Sequence, residues 1–591
     1  MCGISGWFLR QGRARDDRDL HAMADAIQHR GPDDRGYFHD RERGVALAHN
    51  RLSIIDLSPA GHQPMTSEDG RFVVSYNGEL YNFQELRREL EALGHQFHSR
   101  SDTEVVLRSF IQWGAAAVDR FCGMFAFAIW SAEDGKMFLA RDPLGMKPLY
   151  YTALPGDQGF VFASEIKAFL PLADFKVRMS SDALQQFLEF GFTFDEHATS
   201  IEGVFKLPPG HSMEVVNGSA LAPKPFFNAL VPEGTDHSDL RDREKELYNT
   251  LSEVVAQHLI ADVPVGLLLS GGLDSSVIAA LAARHTRITT ISMGFAESQI
   301  DERPYARSVA NHIGSDHNEI TIHPHEISDG LEDVAWFFDD LFADWGTVST
   351  RLMYKKCREA GTKVVLVGEG SDELFGGYPV FKTAFDLRGP MTWRLFQLYR
   401  HYAGRRYGSQ FSTFLSTMLG YLDQTRGDLF QAVRMFETRN QLPNNYVMKV
   451  DKASMSVSVE ARAPFLDRRV AELAYRAPSH CLLKAGIDKY LLRSMAEGFE
   501  LLPREITQRE KAGASIAASW MDESQKFRDY ARTVILDRNG WVDELGLRSA
   551  MTDYFNGRRA GYAFPRAISI FSNLAWRLLL LNLWSRHYVG A

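Results

Sequence analysis

The chain has 591 residues, 45% of them hydrophobic and 24% charged, with a formal net charge of −9 at pH 7. That length exceeds what one core sustains and calls for at least two folding units. The acidic balance, with no Lys/Arg block, argues against a nucleic-acid partner. Four cysteines, Cys2, Cys122, Cys357 and Cys481, stand far apart with no CxxC pair. This excludes a disulfide framework or zinc site and fits a reducing, cytoplasmic setting. The start MCGISGWFLRQGR lacks the apolar run of a secretory signal. The most apolar stretch, 567–584, carries Ser569, Ser572, Asn573 and Arg577, so a buried helix and no membrane span is expected there.

The first ~210 residues read as short strands around a few helices. Runs 72–76, 124–129, 137–140 and 159–163 are strand-like, and 83–93 has helical spacing at Phe83, Leu86, Leu90 and Leu93. The pattern dissolves at 208–237 into PPGHS, NGS, APKP and PEGTDHS, which places a linker at 216–237 between units 1–215 and 238–591. The second unit opens with a helix over 240–260 and then alternates. Strands are expected at 265–269, 288–295, 320–322 and 363–367, and helices at 275–283, 304–312 and 350–359. Strand–helix alternation implies a parallel sheet covered on both faces. From about 380 onward the spacing is mostly helical.

Cys2 follows the initiator methionine. Removal of Met1 puts a thiol and a free α-amine on one residue, and that amine titrates near neutral pH, so it can activate its own nucleophile. Taken alone, Cys2 reads more readily as an incidental terminal residue. Asn77-Gly78 likewise has the look of a hairpin turn, but an Asn amide and a Gly N–H also suit an oxyanion. Arg51 and Asp102 have the charges needed for the carboxylate and ammonium of an amino-acid substrate. Cys2-Gly3-Ile4, His29-Arg30-Gly31-Pro32-Asp33, Asn77 through Asn82, Ser101-Asp102, Arg141 through Tyr150 and Ser164 through Lys167 together resemble the class II, N-terminal nucleophile, glutamine amidotransferases. The resemblance implies an αββα sandwich with Cys2 as nucleophile. It assigns Asn77 and Gly78 to the oxyanion hole, and Arg51, Asn77, Glu79 and Asp102 to glutamine.

Ser270-Gly271-Gly272-Leu273-Asp274-Ser275-Ser276 lies between an apolar strand and a helix, where glycines admit a close ligand and the helix start offers free N–H groups. It is neither GxxxxGK[ST] nor GxGxxG; a plain strand-to-helix turn is as good a reading of the loop alone. A second Gly-rich loop, Gly368 through Tyr378, carries Glu369, Asp372 and Glu373. The first loop resembles the pyrophosphate loop of ATP pyrophosphatases. With Val459 through Asp467 and Asp488 through Arg493, both loops resemble the synthetase domain of the asparagine synthetase B family, over nearly the whole chain. The resemblance implies a two-domain α+β and α/β protein whose second domain is a parallel-sheet ATP pyrophosphatase fold with helical additions. It implies ATP held by Leu269, Ser270, Gly271, Gly272, Asp274, Ser275, Met293 and Gly368, and Mg²⁺ held by Asp274 and Asp372. Lys489 would stabilise an adenylated intermediate, and Glu369 would take a proton from attacking ammonia.

The expected partners are small molecules: glutamine, ATP and aspartate or another carboxylate, with no nucleic acid and no membrane. A homodimer and an ammonia tunnel are family-level expectations. Val367 where the family more often has Ser, Asp344-Trp345-Gly346-Thr347, a loose Arg509 through Ala514 motif and a long 387–440 segment depart from the pattern. They leave the acceptor open between aspartate and another acid, such as a uronic acid of a surface polysaccharide or a peptide-like acid. Trp345 either packs or shapes that acceptor site.

Overall fold

The computed structural model describes residues 2–228, 239–296, 301–403, 408–509, 524–538, 540–557 and 570–589. Its amino-terminal part is two antiparallel sheets. The first runs in spatial order Val204–Lys206, Tyr150–Leu154, Gly159–Ala163, Gly3–Leu9, Val45–Arg51 and Asp34–Asp40. The second runs Ser219–Ala220, His211–Val216, Lys136–Arg141, Gly123–Ser131, Phe72–Leu80 and Met65–Thr66. Ile4, Phe8, Leu47 and Phe162 of the first interdigitate with Val73, Ala128, Trp130 and Leu139 of the second. The alternate residues face outward: Trp7 and Ala48 pack with Leu20 and Met23 of the helix Asp17–Ala26. Val74 and Tyr76 pack with Leu86, Leu90, Val105 and Val106 of the helices Phe83–Ala92 and Asp102–Trp113. Burial on both faces is why Gly3–Leu9 is buried throughout, and the layering is the expected αββα sandwich.

The stretch 216–237, expected as a linker, begins as sheet. Asn217 and Gly218 both take positive φ, 47° and 70°, the requirement of a two-residue hairpin, and fold Ser219–Ala220 back on His211–Val216. Lys224–Pro225 pairs with the same strand. Residues 229–238 lie outside the described residues.

The second part contributes a five-stranded sheet in the order Asp316–Ile322, Thr289–Phe295, Val265–Leu268, Val364–Leu366 and Glu460–Arg462, parallel throughout. The chain leaves Val265–Leu268 toward one edge and returns on its other side at Val364–Leu366. The carboxyl ends of these two neighbours therefore form a topological switch point, where open α/β sheets bind ligands. Glu460–Arg462 lies within the region expected to be helical; its two charged residues are buried because Arg462 Nε donates to Glu460 Oε1 at 2.6 Å. The helix Ile570–Tyr588 contributes the buried Trp576, Leu579 and Trp584 to the core, while 567–569 lie outside the described residues. Among the described residues no helix is long and apolar enough to cross a membrane.

Buried charge joins the two parts. Arg30 pairs with Glu165 at 2.8 Å and with both oxygens of Asp451 at 2.9 and 3.1 Å. Lys147 reaches Asp451 at 3.2 Å, Lys167 reaches Asp339 at 3.1 Å and Lys452 reaches Asp339 at 3.2 Å. All seven side chains are at most 3% exposed. Burial pushes the carboxyls of Glu165, Asp339 and Asp451 up, but the adjoining cations outweigh it and hold all three below the usual range. A depressed carboxyl stabilises the fold above its unfolded pKa of about 4 and loses that contribution as pH falls through the folded value. Thermal scans should therefore show a midpoint that holds from neutrality to about pH 5 and then falls steeply. Asp339→Asn should start lower and fall less; an acid limb unchanged by that substitution would place the sensitivity elsewhere.

Candidate active sites

Cys2 precedes the strand Gly3–Leu9 and is 6% exposed. Asn77 and Gly78 lie within the strand Phe72–Leu80, with Gly78 opposite Phe125, so the hairpin reading falls. A Cβ at Gly78 would lie 2.3 Å from the carbonyl oxygen of Met124, which explains glycine there. The Asn77 Oδ1 accepts the Cys2 N–H at 2.9 Å. Its Nδ2 is buried and has no hydrogen-bond partner among the described residues. A buried donor left unmade costs free energy, and a ligand oxygen beside Cys2 would satisfy it. The N–H groups of Tyr76 and Leu80 donate to Gln63 Oε1 at 2.8 Å and Asp102 Oδ2 at 2.9 Å. The Gly78 N–H, midway between them, points to the same strand edge.

A cavity of about 300 Å³ is lined by Cys2, Arg51, Gln63, Gly78, Glu79 and Asp102. The Arg51 guanidinium donates to the carbonyls of Ser58 at 3.1 Å and Asp56 at 2.5 Å, neutral acceptors that fix it without cancelling its charge. Asp102 opens the helix Asp102–Trp113 and also accepts the Tyr76 hydroxyl at 3.0 Å. Burial raises its carboxyl, and burial with Glu460 nearby raises Glu79 well above the usual range. A ligand ammonium in this cavity would supply a counter-charge. Burial also pushes the Cys2 thiol up, so its reactivity requires a base.

At the switch point a cleft of about 1470 Å³ is lined by Leu269, Ser270, Asp274, Ser275, Met293, Gly368, Glu369 and Asp372. Gly271 has φ 71°, and a Cβ there would lie 2.5 Å from the Ala306 nitrogen. No side chain caps the helix Leu273–Ala283 at Gly272, which leaves its first N–H groups for a ligand. Gly271 does not line the cleft; its carbonyl accepts from Arg509 at 3.1 Å. Lys489, at φ 50°, sets its ammonium 2.6 Å from Asp274 and 2.8 Å from Asp372. Burial opposes that charge, but the two carboxylates outweigh it and hold Lys489 above the usual lysine range. Two carboxylates converging on one cation fit Mg²⁺ carried on phosphates, which recruits one or two such groups. An adjoining pocket of about 590 Å³ beside Gly272 sets Lys489, Arg493 and Arg509 against Asp274, Asp488 and Glu302, each cation paired with one of those carboxylates.

Burial raises the Glu369 carboxyl, although Lys449 opposes this. Lys449, which the sequence reading did not single out, lines the same cleft and pairs with Asp344 at 3.1 Å. Trp345 turns away: its ring stacks on Trp576 at 4.6 Å and its Nε1 donates to Asn573 at 2.8 Å. Arg30 and Arg462 stood inside quoted motifs without a role. Arg30 Nε donates to the Cys2 carbonyl at 3.1 Å, and Arg462 lies 3.5 Å from Glu79.

At Gly377 a Cβ would lie 2.1 Å from both Asp372 Oδ1 and Lys489 Cε. Those are ends of movable side chains, so the fold should accept Gly377→Ala while the carboxylate–ammonium cluster should not. ATP affinity measured by calorimetry should fall by about tenfold, equivalent to 1.4 kcal/mol, with glutamine hydrolysis unchanged. Wild-type ATP affinity would remove this cluster from the nucleotide site.

Residues 1–227 match the family described as glutamine amidotransferase domain, and residues 246–586 match asparagine synthase. The chain is 33% identical over 588 residues to asparagine synthetase (glutamine-hydrolyzing) 1 of Bacillus subtilis (strain 168), spanning 90% of each chain. It is 31% identical over 592 residues to asparagine synthetase (glutamine-hydrolyzing) 3 of the same organism, spanning 92% of this chain and 93% of that one. A protein of Penicillium rubens named Amidase chyE is 32% identical over 67% of this chain and 62% of its own length. Two matched domains in the order that the two sites occupy leave one conclusion: the chain belongs to the glutamine-hydrolysing asparagine synthetase family, whose members use ATP.

Proposed function

We propose that this family member makes asparagine from aspartate, with glutamine as nitrogen donor. The observation that carries the choice of acceptor is Lys449 in the wall of the cleft that holds Glu369, with Asp344 paired to it at 3.1 Å. A cation beside an anion matches the α-carboxylate and α-ammonium of an amino acid. A uronic acid offers no ammonium to Asp344.

The Cys2 thiolate, formed once the freed α-amine takes its proton, attacks the amide carbon of glutamine bound between Arg51 and the carboxylates Glu79 and Asp102. The Asn77 Nδ2 and Gly78 N–H receive the oxyanion, ammonia leaves, and water releases glutamate from the thioester. In the cleft, the aspartate side-chain carboxylate attacks the α-phosphorus of ATP and pyrophosphate leaves. Asp274 and Asp372 would hold Mg²⁺, which when bound neutralises phosphate charge. The Lys489 ammonium stabilises negative charge on the adenylated intermediate. Ammonia then attacks the acyl carbon, Glu369 takes a proton from it, and AMP departs with the former carboxylate oxygen. A raised carboxyl pKa suits Glu369 to that task, since a base is most effective when tuned toward the working pH.

Ammonia must travel neutral. A cavity of about 420 Å³ between the domains is lined by Met146, Phe192, Leu341 and Met448, with Lys206. Burial pushes Lys206 down to about 8, and Arg141, Asp340, Asp451 and Lys452 complete the polar side of the wall.

Because adenylation precedes the ammonia step, Glu369→Gln should lower amide formation by about 10²-fold or more, as loss of a general base does, while pyrophosphate release continues. Equal loss of both would give Glu369 a different role. The acceptor itself is tested by measuring pyrophosphate release with aspartate, other amino-acid carboxylates and uronic acids. Aspartate should be preferred; silence with aspartate and turnover with a uronic acid would replace this reading by amidation of another carboxylate.

A further inference from the structure

The glutamine cavity belongs to the amino-terminal domain, yet one of its supports comes from the synthetase domain. Arg30 is fully buried and uses all three nitrogens. Nε donates to the carbonyl of Cys2 at 3.1 Å, Nη1 is shared between Glu165 at 2.8 Å and Asp451 at 2.9 Å, and Nη2 donates to Asp451 at 3.1 Å. A guanidinium is planar, so a carboxylate gripping both terminal nitrogens also fixes the direction of Nε–H. Asp451 supplies that grip. Its own second cation is Lys147 at 3.2 Å, again from the amino-terminal domain.

Asp451 sits in the nine-residue helix Val447–Met455. Two residues earlier on that helix, Lys449 enters the synthetase cleft and pairs with Asp344. One short helix therefore touches both reaction sites. The Cys2 carbonyl shares its Cα with the thiol and the α-amine, so a tilt of that peptide moves nucleophile and base together relative to Asn77, which accepts the Cys2 N–H at 2.9 Å.

We propose that Asp451 is a positioning residue for the Cys2 nucleophile, acting through Arg30, and that the helix Val447–Met455 thereby ties glutamine hydrolysis to the synthetase domain. The proposal rests on reading Cys2 as the nucleophile. With Asp451→Asn, Glu165 still holds one nitrogen of Arg30, but the two-point grip is gone. Misplacement of a reacting group by about 1 Å costs on the order of 10²-fold in rate. Arg51, Glu79 and Asp102 make no contact with Asp451, so glutamine binding is untouched.

The test measures full-length Asp451→Asn alongside the double variant Asp451→Asn/Lys147→Met, which removes a cation and an anion together and keeps the interface balanced. In both, kcat for glutamine hydrolysis should fall by at least about tenfold with KM for glutamine unchanged. Asparagine formation from added ammonia should stay within about twofold of wild type, as for a site with no shared partner. The rate of Cys2 alkylation by iodoacetamide, read by mass spectrometry, should change with kcat, a response that a purely structural residue would not give. Wild-type kcat in the double variant overturns the proposal, as does an equal fall in the ammonia-driven reaction. Cys2→Ala separates the two claims: glutamine hydrolysis surviving in that variant removes the nucleophile itself, whereas its loss with normal kcat in the Asp451 variants removes only the link.

Discussion

The arrangement of the whole chain depends on burying four cations, Arg30, Lys147, Lys167 and Lys452, against three anions, Glu165, Asp339 and Asp451, where the domains meet. Taking such groups out of water is expensive, and apolar replacements of similar volume often stabilise a protein as well or better. What charge provides instead is a single docking geometry, since every misregister leaves an ion unpaired. Asp339 shows how far this constraint reaches. Its backbone is held at φ 72°, a conformation unfavourable for a residue with a Cβ. It is over-determined by the N–H of Lys167 at 2.8 Å, the ammonium groups of Lys167 and Lys452 and the Tyr588 hydroxyl at 3.1 Å. The carboxyl-terminal helix thus locks the same residue that receives the glutaminase domain.

That fixed docking gives each site something its own domain lacks. The cavity around Cys2 obtains Arg462 beside Glu79 and Asp451 behind Arg30. The synthetase cleft is built within its own sheet, but Lys449 in its wall shares a helix with Asp451. The two cavities also differ in how they manage charge. Around Cys2, the carboxyls of Glu79 and Asp102 are raised by burial, a state poised for an incoming ammonium. In the cleft, Asp274 and Asp372 share the single ammonium of Lys489, which leaves one carboxylate charge over for a cation that arrives with phosphate.

Contiguous chemistry was legible in the sequence. A glycine pair between an apolar strand and a helix, or carboxylates in a Gly-rich loop after a second strand, are local patterns, and the sheet brings both loops to one switch point. Asn77-Gly78 and Asn217-Gly218 show the limit of such patterns. Both are hairpin signals, yet one lies mid-strand against Phe125 and the other makes a hairpin inside an expected linker. Tertiary contact decided between them: Gly78 is required by the Met124 carbonyl 2.3 Å from where its Cβ would be. The strand Glu460–Arg462 could not be read from pattern, because charged residues signal exposure unless their partner is known. Nor could Trp345, whose ring faces Trp576 from 231 positions further along the chain. Lys449, Asp451 and Lys452 appear as an ordinary solvated helix face; only the fold turns them toward two different sites.

The same fact bears on why a glutaminase and a synthetase remain on one chain. Ammonia released while the cleft is unready is lost to solvent, so a hydrolytic site that worked at full rate on its own would waste glutamine. A thiol whose backbone is braced across the domain interface cannot be fully organised by the amino-terminal domain alone. Arg30 without Asp451 keeps Glu165 and the Cys2 carbonyl as partners, enough to fold but with one contact where two set the plane. The buried charges that specify docking are therefore the same ones through which the synthetase domain fixes the Cys2 peptide, and the cost of desolvating them is offset by the ion pairs that they make.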